Sequence, residues 1–378
     1  MVQTHRRNAL LKRYDPVPVV FLCIRLLLAA VFIFSGFVKA IDPLGGSYKI
    51  NDYLLAFGGF WLNFQAFSLV LAILLAGFEL VLGLCLLARV RIRKTALFAL
   101  LFMSVMTPLT LYIALTNPVT DCGCFGEALI ISNQATFAKN LVLLAMSIAL
   151  FIYAKRMHPF LLPKVEWGLV GGFVLLSLLL SLLCYAYLPL IDFLPYHKGV
   201  DIPEAMRIPE GAPRDEYRTT FIYEKDGLQQ EFSLENYPQN DSTWVFVDQK
   251  NVLLSKGYVP PIGHLVLSNS SSDDITEELL HHPGRVYWLV MYDLDKTSGK
   301  GARRAEEIYR KALAEGSRFY ALTASSADEV ANFVKEHDLS YPFLYSDPTT
   351  LKAMIRSNPG LLILEQGRIV DKKPWRKF

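Results

Sequence analysis

Val19-Val20-Phe21-Leu22-Cys23-Ile24-Arg25-Leu26-Leu27-Leu28-Ala29-Ala30-Val31-Phe32-Ile33-Phe34-Ser35-Gly36-Phe37-Val38 holds a single charged side chain, Arg25. As a helix this stretch spans roughly 30 Å, the thickness of a bilayer's hydrocarbon core. Similar runs lie at approximately Phe67–Ala88, Thr95–Leu115, Phe137–Tyr153 and Trp167–Leu188. They concentrate the apolar residues, 52% of the 378, in the first half of the chain. Mean hydropathy is positive, which excludes an ordinary soluble protein of this size. The first run is too long, and lacks the small-residue cleavage site, for a removed signal peptide; its charged flank makes it a signal anchor.

Basic residues set the expected orientation. Arg6, Arg7, Lys12 and Arg13 precede the first span, Arg89-Val90-Arg91-Ile92-Arg93-Lys94 joins spans two and three, and Lys155, Arg156 and Lys164 lie between spans four and five. Every second loop is basic, which places these loops and the N-terminus in the cytoplasm. Segments 39–66 and 116–136, and the 190 residues after Leu188, are then exoplasmic. The expected layout is a cytoplasmic N-terminus over 1–18, a four-span bundle over 19–155 and a fifth transmembrane helix over 165–188. A periplasmic β-containing juxtamembrane segment over 189–284 and a soluble domain over 285–378 follow, in a multi-pass protein of a bacterial inner membrane. Membrane lipid is one partner. Net charge is only +3, and no basic patch interleaved with aromatics points to nucleic acid.

The loop before the fourth span reads Asp121-Cys122-Gly123-Cys124-Phe125-Gly126. On the exoplasmic side disulfides persist. Gly123 lets the backbone turn tightly enough for the sulfurs to meet, and a bridge across so small a ring is strained and readily exchanged. The pair reads as redox-active thiols, as a static bridge or inert thiols, or as a metal site. So short a loop gains little from crosslinking, and zinc lacks a nearby histidine or third thiol to complete a tetrahedral set.

Arg25 and Glu79 are charges well inside their spans. Helix rise puts them roughly 10 Å and 15 Å from the cytoplasmic face, so they can pair. Quinone or proton handling is the functional reading, and a buried ion pair that fixes helix register is the structural one. Lys39 and Asp42 end the first span, where a lysine commonly snorkels; a cation near the cysteine loop also lowers a thiol pKa. Cys23, Cys85 and Cys184 read as packing residues, with Cys184 the best placed of them for a resolving thiol. Thr107-Pro108 predicts a kink in span three, its freed carbonyls satisfied by neighbours. Tyr48, Tyr53, Phe57, Phe60 and Trp61 form either an interfacial belt or a lid over a quinone site. The adjacent His281 and His282 read as solvated.

Beyond Ile191 the chain is polar, with strand-like runs at Arg218–Glu224, Thr243–Asp248 and His264–Ser268 separated by turn residues. From Arg285 the pattern is β-α-β-α-β-β: Val286–Asp293, Ala302–Ala314, Arg318–Thr323, Ala327–His337, Tyr341–Tyr345, then a proline-opened strand and hairpin over 358–370. Ser346-Asp347-Pro348 with this ending resembles the last third of a thioredoxin or thiol-peroxidase-like domain. The resemblance implies that Pro359 is a cis proline facing the active site. It also places the expected Cys-x-x-Cys within Asp295–Gly301, yet no cysteine follows Cys184. The fold class is therefore a membrane all-α four-helix bundle plus a fifth transmembrane helix, followed by an α/β thioredoxin-like domain that binds or supports and does no dithiol exchange itself.

The first four spans, over roughly residues 15–155, resemble the DoxX and methylamine-utilisation MauE group of redox-associated membrane proteins. Arg25, Phe32-Ile33-Phe34-Ser35-Gly36-Phe37-Val38-Lys39, Glu79 and Cys122-Gly123-Cys124-Phe125-Gly126 carry the likeness. It implies a link to disulfide formation or to quinone-coupled sulfur oxidation, and a thioredoxin-like partner. The expected function is a thiol–disulfide redox component with Cys122 and Cys124 as its reacting residues. Its electrons pass between a periplasmic client or thioredoxin-like carrier and the membrane, with a quinone as the candidate cofactor. The alternative is a non-enzymatic scaffold displaying a periplasmic binding domain. A small-solute transporter would call for polar spans or matched broken helices, which the sequence lacks.

Overall fold

The computed structural model describes residues 19–119, 121–157, 161–214, 216–238, 241, 243–255 and 257–378. Arg6, Arg7, Lys12 and Arg13, on which the orientation of the N-terminus partly rests, lie outside them. The first half is helical: α1 (Val19–Ile41), α2 (Pro43–Phe57), α3 (Ser68–Leu87), α4 (Ile92–Thr116), α5 (Asn133–Ala154) and α6 (Pro163–Ala186). All but α2 are long and apolar enough to cross a membrane, α3 together with the 3₁₀ turns of Gly59–Phe67 before it. This is a multi-pass membrane protein. Pro108 lies inside α4, where Thr110 Oγ1 accepts from Asn140 Nδ2 at 3.2 Å and binds the Thr107 carbonyl at 3.0 Å.

Two glycines fix the register of the antiparallel pair α1 and α3. A Cβ on Gly36 would sit 2.3 Å from Leu80 N, and one on Gly83 would sit 2.6 Å from Ile33 N. Backbones approach this closely only where side chains are absent. The register sets Glu79 opposite the end of α1 that carries Ser35 and Lys39.

Helix α2 occupies what the sequence presents as an aromatic loop. Asp42-Pro43 starts it: Asp42 Oδ1 accepts from Gly45 N at 2.9 Å, and Pro43 stands where a missing N–H costs nothing. The helix lies at the same end of the bundle as the cysteine loop and the soluble domain, and touches both.

The second half begins with α7 (Ile202–Met206) and an antiparallel sheet of β1 (Glu216–Lys225), β2 (Leu228–Ser233) and β3 (Val245–Ser255), ordered β2-β1-β3. His264–Ser268 is not a strand: Ser268 makes only isolated bridges, to Asp274 and Tyr345. After α8 (Thr276–Leu280) come β4 (Arg285–Met291), α9 (Gly299–Ala314), β5 (Arg318–Thr323), α10 (Ala327–His337), β6 (Phe343–Tyr345), α11 (Pro348–Met354), β7 (Gly360–Glu365) and β8 (Arg368–Pro374). The sheet order is β6-β5-β4-β7-β8, with β4, β5 and β6 parallel and β7 and β8 antiparallel. This is the α/β domain anticipated, thioredoxin-like in its order of elements.

Strand β4 runs through the middle and is apolar on both faces because both faces are covered. Tyr287, Leu289 and Met291 pack with residues of α9 and α10, among them Ala305 and Phe333. Val286, Trp288 and Val290 pack with Ile202, Ile262, Leu267 and Leu279, so the domain's core draws on residues well upstream of Arg285.

Candidate redox site

On α1, Ser35 and Lys39 are one helical turn apart and face α3. Lys39 Nζ donates to both carboxylate oxygens of Glu79, at 2.7 and 2.8 Å, and to Ser35 Oγ at 3.1 Å. Ser35 Oγ in turn lies 2.5 Å from Glu79 Oε2 and 2.8 Å from the Cys124 carbonyl oxygen. Glu79 and Ser35 are buried. The membrane charges are thereby tied directly to the cysteine loop.

The loop is shaped by its own side chains. Asp121 Oδ1 accepts from Gly123 N at 2.9 Å, Gly123 has φ of +62° and Gly126 of +53°, and Gly126 N closes a turn on Gly123 O at 3.1 Å. Both glycines occupy left-handed backbone that other residues adopt at a cost. Helix α2 holds the loop from one side: Lys49 Nζ pairs with Asp121 at 2.7 Å, and Tyr53 Oη donates to the Cys122 carbonyl at 2.7 Å. Phe125 anchors it from below, against Phe34 at 5.3 Å and beneath Lys139 Nζ at 4.3 Å.

The thiols of Cys122 and Cys124 are free, half-buried and 2.9 Å apart. Their environments split the pair. The hydrogen bond from Cys122, then the Lys139 and Lys39 ammonium charges, outweigh burial and push the Cys124 thiol down to about 6. Donating that bond, with burial, holds the Cys122 thiol well above the ordinary range. Cys124 is thus the more acidic thiol of the two, and it is the thiolate form of a cysteine that attacks a disulfide.

A cavity of about 280 Å³ opens beside the pair. Its inner wall is apolar, from Val31, Phe32, Leu75, Phe102, Met103 and Met106; Lys39, Glu79, Cys122, Cys124 and Lys139 line its polar part. Tyr53 and Phe57 of the aromatic cluster also line it, whereas Phe60 and Trp61 are exposed. Pro189, Ile191, Phe193 and Leu194, which follow α6, form a further wall. Asp192 in that segment is fastened to buried Lys372 at 2.5 Å.

The soluble domain docks next to this site through the loops beside β4 and β7. Arg356 Nε lies 3.0 Å from both oxygens of Asp42, and Nη2 lies 3.9 Å from Glu127, just past the cysteines. Its guanidinium stands over the Tyr48 ring, 5.4 Å from its centroid. Asp42 and Arg356 are 314 residues apart, and no local pattern in the sequence announces such a contact.

Arg25 does not pair with Glu79. Its Nη1 donates to the carbonyls of Leu86 and Leu87, at 2.6 and 2.8 Å, capping the end of α3. Eight residues separate Leu87 from Glu79, about 12 Å of helix, so the glycine-set register denies them contact. Lys39 takes the place expected of Arg25, and its spacing of four from Ser35 was the signal for it. Asn358-Pro359 is a cis peptide bond, and Pro359 is not among the cavity's lining residues. Cys184 is buried in α6.

Residues 17–153 match the family described as methylamine utilisation protein MauE. Residues 217–256, which hold most of the small sheet, match a domain of unknown function, DUF8463. No curated protein matches the chain. Among solved structures, the solution structure of a candidate protein disulfide isomerase from Bacteroides thetaiotaomicron aligns at 13% identity and a TM-score of 0.24, covering 30% of this chain and 74% of that one.

Proposed function

We propose that the chain is an inner-membrane thiol–disulfide redox component, with Cys122 and Cys124 facing the periplasm. The observation that carries this reading is a free, electronically split thiol pair at the edge of an apolar cavity inside a membrane bundle. The alternating basic loops support the orientation, and the likeness to MauE supports a membrane context for the pair.

The thiol chemistry follows from the split. Cys124 thiolate attacks one sulfur of a client disulfide, and the other client sulfur leaves as a thiolate. Cys122 then gives up its proton and attacks Cys124 Sγ, which closes the bridge and releases the second client sulfur. Two electrons pass to the client; run backwards, the same steps oxidise a client dithiol. Resetting the pair requires a second redox partner, and no cysteine after Cys184 provides one within the soluble domain.

The cavity fits a lipid-soluble quinone. Its volume lies near the lower end of small-molecule pockets, roughly 300 Å³, its inner wall is apolar, and the ammonium groups of Lys39 and Lys139 line its polar part. A quinone held there supplies an acceptor for two electrons and two protons. Phe102, Met103 and Met106 would hold the ring; Lys39 and Glu79 would orient its polar edge.

Alkylation trapping in cells tests the reading: the pair should shift between blocked and reactive forms under oxidising and reducing challenge. A pair that never changes state refutes it. The Cys122→Ser variant keeps the nucleophile and removes the resolving thiol, so it should accumulate a mixed disulfide whose partner can be identified.

A further inference from the structure

Asn140 of α5 is 4% exposed and lines the cavity beside the thiol pair. Thr110, facing it from α4, fixes which way its amide is turned. The Thr110 hydroxyl has one hydrogen, and the backbone carbonyls of Met106 and Thr107 lie 2.9 and 3.0 Å away to take it. The hydroxyl oxygen is left to accept, so the group 3.2 Å from it is the NH2 of Asn140. Asn140 Oδ1, on the other arm of the amide, accepts no hydrogen bond among the described residues, yet it is not sealed in protein. Asn133 Oδ1 and Thr136 Oγ1, on the same face of α5, also lack partners, but both are sealed and neither residue lines the cavity.

The other polar groups of the cavity define what a ligand must supply. Glu79 already accepts from Lys39 and Ser35, and Asp42 from Arg356. Lys139 Nζ, on the residue before Asn140, stands over the Phe125 ring at 4.3 Å and has no acceptor among the described residues. The polar part of the cavity thus offers an uncommitted donor and an uncommitted neutral acceptor on adjacent residues. A quinone carbonyl only accepts, so it serves Lys139 and gives Asn140 nothing. Hydroquinone hydroxyls accept and donate, and serve both. A water bound at Oδ1 in the empty cavity is displaced without loss only by a group that donates in its place.

We propose that Asn140 is the residue by which the cavity tells a hydroquinone from a quinone: Oδ1 accepts from a hydroquinone hydroxyl, and the site holds the reduced ligand more tightly than the oxidised one. The inference rests on the proposed reading of the cavity as a quinone site beside a redox-active pair, and it gives that site a direction. Tighter binding of the reduced form makes the bound quinone a stronger oxidant, by about 30 mV for each tenfold in affinity. Oxidation of Cys122 and Cys124 is then favoured: the two sulfurs join, two electrons and two protons pass to the quinone, and hydroquinone is the product. A buried acceptor left without a donor weakens binding roughly 5- to 150-fold, which sets the size of the preference.

Titration calorimetry under argon, on the full chain in lipid nanodiscs, tests this with a decyl-substituted benzoquinone and its hydroquinone. Combining Cys122→Ser with Cys124→Ser keeps protein and ligand from exchanging electrons, and empty nanodiscs give the correction for partition into lipid. The hydroquinone should bind more tightly by the factor above. Asn140→Leu in the same background is similar in size and removes the acceptor; it should weaken the hydroquinone by that factor and leave quinone binding unchanged. Thr110→Val removes the oxygen that holds the amide's NH2 and frees the amide to turn, so the preference should shrink there too. That variant keeps Asn140 and guards against an Asn140→Leu protein that fails to fold. Equal affinities for the two forms, or a preference untouched by both variants, overturn the inference and leave the thiol–disulfide reading standing. A chain that binds neither form overturns the inference and the quinone site together, while alkylation trapping decides separately whether Cys122 and Cys124 cycle.

Discussion

Arg356→Ala should loosen the soluble domain from the cysteine site. The guanidinium is almost fully buried, with 5% of its side-chain surface exposed, and reaches both oxygens of Asp42, the Lys352 carbonyl, Glu127 and the Tyr48 ring. Removing one partner of a buried pair costs about 3–5 kcal/mol when the other charge is stranded. Asp42 is not wholly stranded: it is 18% exposed and keeps its bond from Gly45 N at 2.9 Å. The expected loss is therefore about 2–3 kcal/mol, or roughly 30- to 150-fold in the ratio of docked to undocked forms. A bulky maleimide that reaches Cys122 and Cys124 from the undocked form should label the reduced full chain faster by a comparable factor, provided redocking outpaces labelling. Arg356→Lys keeps the charge and loses the fork, so it should fall between the two. Asp42→Ala alone also removes the α2 cap, worth about 1 kcal/mol; a double-mutant cycle separates that cost from the pair. A coupling below about 0.5 kcal/mol, the level of independent sites, or an unchanged labelling rate, would refute the clamp.

Iodoacetamide modification of Cys124 should rise from acid to neutral pH with a midpoint near 6, because only the thiolate reacts and the Cys122 hydrogen bond with the Lys139 and Lys39 charges stabilises it; a midpoint in the ordinary thiol range would be incompatible with the site. Lys139→Met removes one of those charges and should move the midpoint upward, while a downward shift would contradict the sign of the effect. Gly36→Ala places a Cβ 2.3 Å from the Leu80 backbone nitrogen, a contact no rotamer relieves. Overpacking of this kind costs about 1–3 kcal/mol, and thermal denaturation in detergent should show it. Gly123→Ala meets Lys49 Cγ at 3.2 Å and keeps a left-handed backbone, φ +62°, which costs about 1–2 kcal/mol; an unchanged melting temperature would show that the loop is free to refold.

The spans and most soluble-domain elements were legible because hydropathy and periodicity are local signals. Arg318–Thr323 and Ala327–His337 coincide with their strand and helix. Helix α2 was hidden by its aromatic residues: Tyr48, Tyr53 and Phe57 read with Phe60 and Trp61 as an outer-loop cluster, although Asp42-Pro43 is an ordinary helix start. The Cys122–Cys124 pair stood out from sequence alone. Its partners did not, because Lys39 and Glu79 meet through the register of α1 against α3, and depth counted from the helix ends ignored Gly36 and Gly83. The Arg356–Asp42 pair depends on how a whole domain docks, which no window of sequence encodes.

Docking also bears on why the soluble domain lacks thiols. Ser298 caps α9, and Gly301, three residues on, packs so tightly that a Cβ there would lie 2.9 Å from both Pro359 Cγ and Trp375 Cβ. Restoring a Cys-x-x-Cys across these positions would therefore require the Pro359 loop and the C-terminal turn to move apart. The loop before β7 is engaged as well, Arg356 by Asp42 at the start of α2 and by the Tyr48 ring. Gly301 therefore leaves no space for a second thiol at that position, and Arg356 of the same edge is already engaged by α2. On the proposed reading the soluble domain's work lies in the contacts it makes: Arg356 holds α2, and α2 holds the cysteine loop through Lys49 and Tyr53. Asp192 and Lys372 pin the segment that walls the cavity. On the same proposed reading, electrons leave Cys122 and Cys124 outward to a partner's sulfur or inward to an acceptor in the cavity.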